Sequence, residues 1–156
     1  AMEFRTVASA LGIILVFIYA FGSALWVSNS PGWYSSLNRP SWQPPDFVFG
    51  LIWPYNFIIL GVAAVKVTQT LQPKLASIWI VIFAMSIVAA LNWAYQFYVP
   101  HNLTTATISL GIAAALTIPL VFIALKASTL IGVMLLPYQA WVIIATTLAW
   151  GYSVRN

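Results

Sequence analysis

Residues 75–99 read LASIWIVIFAMSIVAALNWAYQFYV, a block without one charged side chain. An α-helix over this block is roughly 37 Å long at 1.5 Å per residue. That exceeds the ~30 Å hydrocarbon core of a bilayer. A membrane β-strand would instead alternate apolar and polar residues over about ten positions, and this block is continuously apolar. A helix also satisfies its own backbone in lipid. The block therefore predicts a membrane-spanning helix, closed by Pro100 and His101.

Four further blocks repeat the pattern: Arg5–Val27, Phe47–Val67, Leu103–Leu125 and Thr129–Val154. Between the first two lies a long loop, Ser28–Asp46, and a short link, Thr68–Lys74, precedes the quoted block. The six Lys/Arg and two Asp/Glu all fall at block edges or outside them. A charge at mid-bilayer costs at least ~2.5–3.5 kcal/mol, so this placement supports five spans. The expected fold class is an all-α membrane protein, a five transmembrane helix bundle forming one domain over 1–156. The chain is 62% hydrophobic and 5% charged, against about 25% charged residues in soluble domains.

The same scarcity limits chemistry. Two carboxylates, one His and no Cys leave no expectation of a metal site, a thiol nucleophile or a Ser-His-Asp relay. The six cations are dispersed, so no nucleic-acid partner is expected. Arg5, Lys66, Lys74 and Lys126 fall on one side of the membrane, Arg39 and Arg155 on the other. Four against two predicts a cytoplasmic N-terminus. Ala1-Met2 reads as an extraneous pair ahead of a natural start. The first span is too long for the core of a cleavable signal. Short loops and no recognisable transit segment fit a bacterial plasma membrane. Pro54, Pro119 and Pro137 lie inside spans, where each tends to kink its helix. Ala20/Ala24 and Gly111/Ala115 stand four apart, a spacing that permits close helix contact and favours a homodimer.

The loop between spans 1 and 2 holds Pro31-Gly32-Trp33-Tyr34-Ser35-Ser36-Leu37-Asn38-Arg39-Pro40-Ser41-Trp42-Gln43-Pro44-Pro45. An interfacial belt accounts for Trp33 and Trp42 singly. It does not account for a long loop dense in proline, which suits a lid over a pocket. W-Y-x-x-L-x-x-P-x-W-x-P-P followed by V-F-x-x-x-W resembles the signature of the TspO/MBR (translocator protein, peripheral-type benzodiazepine receptor) family. The match is carried by Trp33, Tyr34, Leu37, Pro40, Trp42, Pro44, Pro45, Val48, Phe49 and Trp53. Asn92-Trp93-Ala94-Tyr95 is similar to a second family motif. Leu136-Pro137-Tyr138-Gln139-Ala140-Trp141 with Ala145-Thr146-Thr147-Leu148 is similar to a third.

The resemblance implies a homodimer of a bacterial-type member and a cavity under the loop for protoporphyrin IX, haem and synthetic ligands of the benzodiazepine-receptor type. Its ligand-binding positions map to Tyr34, Pro44, Phe49, Trp53, Asn92, Tyr95, Trp141 and Ala145. Trp33 in the loop is added to them. Trp53 and Trp141 correspond to tryptophans linked in the family to porphyrin photo-oxidation, the one catalytic role it implies. Aromatic walls suit a flat macrocycle, and Arg39 is the expected partner of its propionates. No cofactor is required; the tetrapyrrole is a ligand. Two departures stand out: Ser109 replaces a usual acidic residue of span 4, and Leu148-Ala149-Trp150 replaces a usual L-N-Y. A weak sterol pattern can be read at Leu148, Tyr152 and Arg155. The alternative function is a facilitative transporter of porphyrins or sterol-like lipids in contact with membrane lipid. No acid or base lies mid-span to couple active transport. His101 reads as a solvated interfacial residue rather than a haem ligand, and the three lysines lie at span ends, which disfavours a retinal protein.

Overall fold

The computed structural model describes residues 2–28 and 31–156. The elements are α1 (Met2–Val27), α2 (Pro31–Ser36), α3 (Asp46–Thr70), α4 (Pro73–Tyr98), α5 (Leu103–Ala127), α6 (Thr129–Met134) and α7 (Leu136–Arg155). Five stretches are long and apolar enough to cross a membrane, with α6 and α7 together making the fifth. The helices overrun several of the expected ends by a few residues, and a short helix, α2, lies inside the expected loop; two further differences have a clear cause. The helix of span 2 runs on past Lys66 to Thr70, because an exposed lysine near a helix end can extend along it to the interface without stopping it. The fifth span is two helices meeting at Leu135, since Pro137 has no N–H for the preceding turn. At that break the Tyr55 hydroxyl donates to the Met134 carbonyl.

Local signals set the turns. Asn102 caps α5 by accepting from the Thr105 N–H at 3.1 Å, and Ser128 caps α6 by accepting from the Ile131 N–H at 3.3 Å. Pro73 starts α4 at a position where its missing donor is not needed. Between α4 and α5 the chain reverses through His101, at φ 61°, a left-handed conformation that His tolerates better than most residues. Its ring stacks on Trp33, centroids 3.6 Å apart and planes 4° from parallel.

Around the bundle, α1 packs between α3 and α4, α4 against α5, and α5 against α7. The α1–α3 crossing is close because Gly12 lacks a side chain: a Cβ there would lie 2.5 Å from the Ala64 Cβ. The core is apolar and includes Trp79, whose indole donates to the Leu120 carbonyl at 3.0 Å. The contact between α3 and α7 is slight along their length. The space left there becomes the cavity described next.

Candidate functional site: a roofed aromatic cavity

A cavity of about 410 Å³ lies beneath the loop, within the size range of small-molecule sites. Four helices and the loop supply its wall, each through residues three or four apart on one face. From α3 come Asp46, Phe49, Trp53 and Phe57; from α7, Trp141, Ala145, Leu148, Ala149 and Tyr152. Trp93 and Phe97 of α4 and Ala20, Ser23 and Ala24 of α1 face them, with Tyr34 and Gln43 reaching in from the loop.

The aromatic groups interlock edge to face. Trp53 and Trp141 have centroids 6.4 Å apart at 89°. Phe49 meets Trp141 at 5.1 Å and 82°. Below them Tyr19 meets Phe57 at 5.2 Å and 78°, and its hydroxyl lies 2.8 Å from that of Tyr138. Each such ring pair contributes about 0.5–1.5 kcal/mol beyond simple burial, so the wall is held in place before any ligand arrives.

The polar lining is sparse and one-sided. The indole N–H groups of Trp93 and Trp141 and the amide nitrogen of Gln43 are buried without a protein partner. The Gln43 carbonyl oxygen accepts from the Tyr152 hydroxyl, which also lies 3.2 Å from the Tyr34 hydroxyl. Three buried donors facing one space need acceptors from something else. Asp46 is the single charged residue of the wall, and the Arg39 guanidinium stands 3.9 Å from its carboxylate.

The roof is latched to the end of α7. The Asn156 carboxamide accepts from the Asn38 N–H at 3.1 Å and donates to the Asn38 carbonyl at 3.2 Å. The Trp42 indole donates to Thr147 at 3.2 Å, and the Arg155 guanidinium sits 4.9 Å above the Trp42 ring. Gly151 makes the contact possible, because a Cβ there would lie 2.6 Å from Pro40 and 2.9 Å from Trp42.

The residues expected from the sequence divide into two groups. Tyr34, Phe49, Trp53, Trp141 and Ala145 come together in the cavity wall. Trp33 stands behind the wall, edge-on to Phe97 and stacked on His101. Arg39 lies at the mouth, and Pro44 is outside the lining. Asn92 points to α5, where its amide donates to Ser109 at 2.6 Å; the Ser that replaces a usual acid thus joins two helices. Tyr95 faces outward and meets Trp26 edge to face at 5.5 Å. Leu148 and Tyr152 are buried and line the cavity, while Arg155 covers Trp42, so these three do not share a lipid-facing surface. Ala20 and Ala24 border the cavity. The sequence reading passed over Gln43, Trp93 and Phe97. Trp93 and Phe97 stand four apart, and that spacing was the available signal.

The sequence profile of the TspO/MBR family matches residues 10–155. The chain is 29% identical over 149 residues to "Tryptophan-rich protein TspO" of Bacillus cereus, covering 91% of this chain and 95% of that one. It is 30% identical over 154 residues to "Translocator protein" of Homo sapiens, covering 95% and 85%. It is 27% identical over 116 residues to "Tryptophan-rich sensory protein" of Cereibacter sphaeroides, covering 74% and 72%. A match over nearly the whole length, on a chain with five membrane-crossing stretches, means that this integral membrane protein belongs to the TspO/MBR family.

Proposed function

We propose that the protein is a receptor-like binder of tetrapyrroles, protoporphyrin IX and haem, which it holds in the cavity under the loop. The observation that carries this reading is the Trp53–Trp141 pair set edge to face in the wall of a roofed apolar cavity. A porphyrin offers two flat faces to such rings and acceptor oxygens on its propionates to donors near the mouth. Arg39 can exchange Asp46 for a propionate at little cost, because an exposed ion pair is worth only about 0–1 kcal/mol. Synthetic ligands of the benzodiazepine-receptor type fit the same apolar walls. Light-dependent porphyrin loss would draw on the two indoles, which are oxidisable groups beside a photoexcited ring. The family resemblance supports a homodimer in a bacterial plasma membrane, and the count of Lys and Arg at each end supports a cytoplasmic N-terminus.

Titration of the purified protein with protoporphyrin IX, followed by tryptophan fluorescence, tests the reading. Saturable quenching that weakens in Trp53→Phe and Trp141→Phe is expected. Its absence in the parent protein overturns the porphyrin assignment, and undiminished quenching in both variants removes the two tryptophans from the wall. Illumination of the complex tests the photochemistry: loss of porphyrin absorbance no faster than in free solution leaves a binder alone.

A further inference from the structure

A second concavity, about 750 Å³, lies on the outside of the bundle between α1 and α3. Ile13, Phe17 and Phe21 form one flank and Ile58, Val62 and Val65 the other. Its floor is shallow at Gly61, where an added Cβ would meet nothing closer than Val16 at 3.9 Å. Lining residues along α3 run from Phe57 to Thr70, a rise of roughly 20 Å. That is close to half of the ~40–45 Å bilayer with its headgroup regions, the depth of one leaflet. The groove is also polarised. Phenylalanines fill one end; Lys66, Gln69 and Thr70 close the other.

The charge at that closed end is unbalanced. Lys66 is exposed, and among the described residues it has no hydrogen bond or ion pair. Arg5 stands at the same end, since the Gln69 amide donates to its carbonyl at 3.3 Å and its guanidinium donates to the Thr68 carbonyl at 2.8 Å. Lys74 and Lys126 belong to the same end of the bundle, and Glu3 is the one carboxylate there. Asp46, the other carboxylate of the chain, starts α3 at the opposite end. A leaflet-deep apolar trough closed by an unneutralised ammonium matches one acyl chain and one phosphodiester.

We infer that this groove is a binding site for a single anionic phospholipid, with an acyl chain along Phe17, Gly61 and Val62 and its phosphate on Lys66. Two substitutions separate the parts of the site. Lys66→Gln removes the cation and keeps the trough. Gly61→Leu projects into the trough, where there is space, and keeps the cation.

Native mass spectrometry of the full chain in detergent, with phosphatidylglycerol or phosphatidylcholine of identical acyl chains, reads both. The parent is expected to retain one phosphatidylglycerol in preference to phosphatidylcholine. Lys66→Gln is expected to lose about five-fold of that preference, the worth of one lysine at an anionic surface. Gly61→Leu is expected to lower retention of both lipids, while Lys74→Gln and Lys126→Gln leave the preference intact. Equal retention of the two lipids by the parent overturns the proposal. So does a preference abolished by Lys74→Gln or Lys126→Gln and untouched by Lys66→Gln. A dimer that Gly61→Leu splits with no change in lipid retention would make the groove an interface between two copies and overturn it as well. Circular dichroism of each variant confirms the helical fold, so lost retention cannot be mistaken for unfolding.

Discussion

Gly151 is the most exposing position at which to test the roof. It lies in α7, one residue before Tyr152, and the loop rests directly on it. A Cβ would fall 2.6 Å from Pro40 Cγ and 2.9 Å from Trp42 Cζ2, whereas carbon atoms rest at about 3.5–4.0 Å. Gly151→Ala therefore pushes the loop back by about 1 Å. Neither neighbour yields easily: Pro40 is a buried ring, and Trp42 is held by Thr147 and Arg155. Overpacking of this kind costs about 1–3 kcal/mol. That cost falls on the closed roof alone, so a ligand that needs the roof closed should bind roughly 5- to 150-fold more weakly.

A second effect of the same substitution has the opposite sign. Alanine is favoured over glycine within a helix by about 0.8–1 kcal/mol, and this gain holds whether the roof is open or closed. It offsets the clash in global stability but cancels from the roof equilibrium. The expected signature is weaker protoporphyrin IX binding with a nearly unchanged Tm. Gly50→Ala is the control: a Cβ there meets nothing within 4 Å, so Tm should hold or rise and affinity should stay. Fluorescence titration gives the affinity, and limited proteolysis of the loop reports its position. Parent affinity in Gly151→Ala, with the loop as protected as before, would refute the claim that the roof's seat on α7 governs the cavity.

Three further outcomes follow from the geometry. Trp93→Phe keeps a ring in the wall and removes one unpartnered donor, so porphyrin affinity should fall by about 0.5–1.5 kcal/mol, with stability nearly constant by thermal scanning. Asn92→Ala breaks the α4–α5 bond to Ser109; stability should drop by about 1 kcal/mol, while the titration curve stays in place. His101→Val puts a β-branched residue at φ 61° and removes the stack on Trp33. A loss of about 1–2 kcal/mol is expected, measured by thermal unfolding, and His101→Gly should recover part of it.

The five spans were legible because so few charges are present: all but Arg39, which lies in the loop, stand within four residues of a helix end, and the intervals between them are apolar. The site was legible along the chain but not around each helix. Motif resemblance selects positions such as Asn92 and Tyr95, and only the 3.6-residue turn decides which way each points. Phe49, Trp53 and Phe57 keep a four-residue spacing, as do Trp93 and Phe97, and that spacing defines the wall. Asn92 falls on the α5 side of α4 and Tyr95 on the lipid side. The latch lay beyond sequence reading, since Asn38 and Asn156 are 118 residues apart and their pairing depends on the loop's path. Trp33 likewise took its place from the chain reversal at His101, a backbone conformation that no local pattern announces.

The distribution of polar groups also sets how a ligand must lie. Inside the wall the unpartnered groups are donors, on Gln43, Trp93 and Trp141, and Asp46 is the single charge. A carboxylate carried deep would lose its hydration and meet no cation, a cost of several kcal/mol. Near the mouth it would meet Arg39, whose present partner is an exposed carboxylate 3.9 Å away. An amphipathic macrocycle of the kind proposed would therefore enter with its apolar edge leading and its acids trailing. Its ring would then lie against the Trp53–Trp141 pair and its propionates beneath the roof. Esterifying both propionates should consequently cost little affinity in Arg39→Ala and more in the parent, by about 0.2–1 kcal/mol for the one exposed pair. If the dimethyl ester and the free acid differ equally in the two proteins, the acids do not lie at Arg39 and the orientation is reversed.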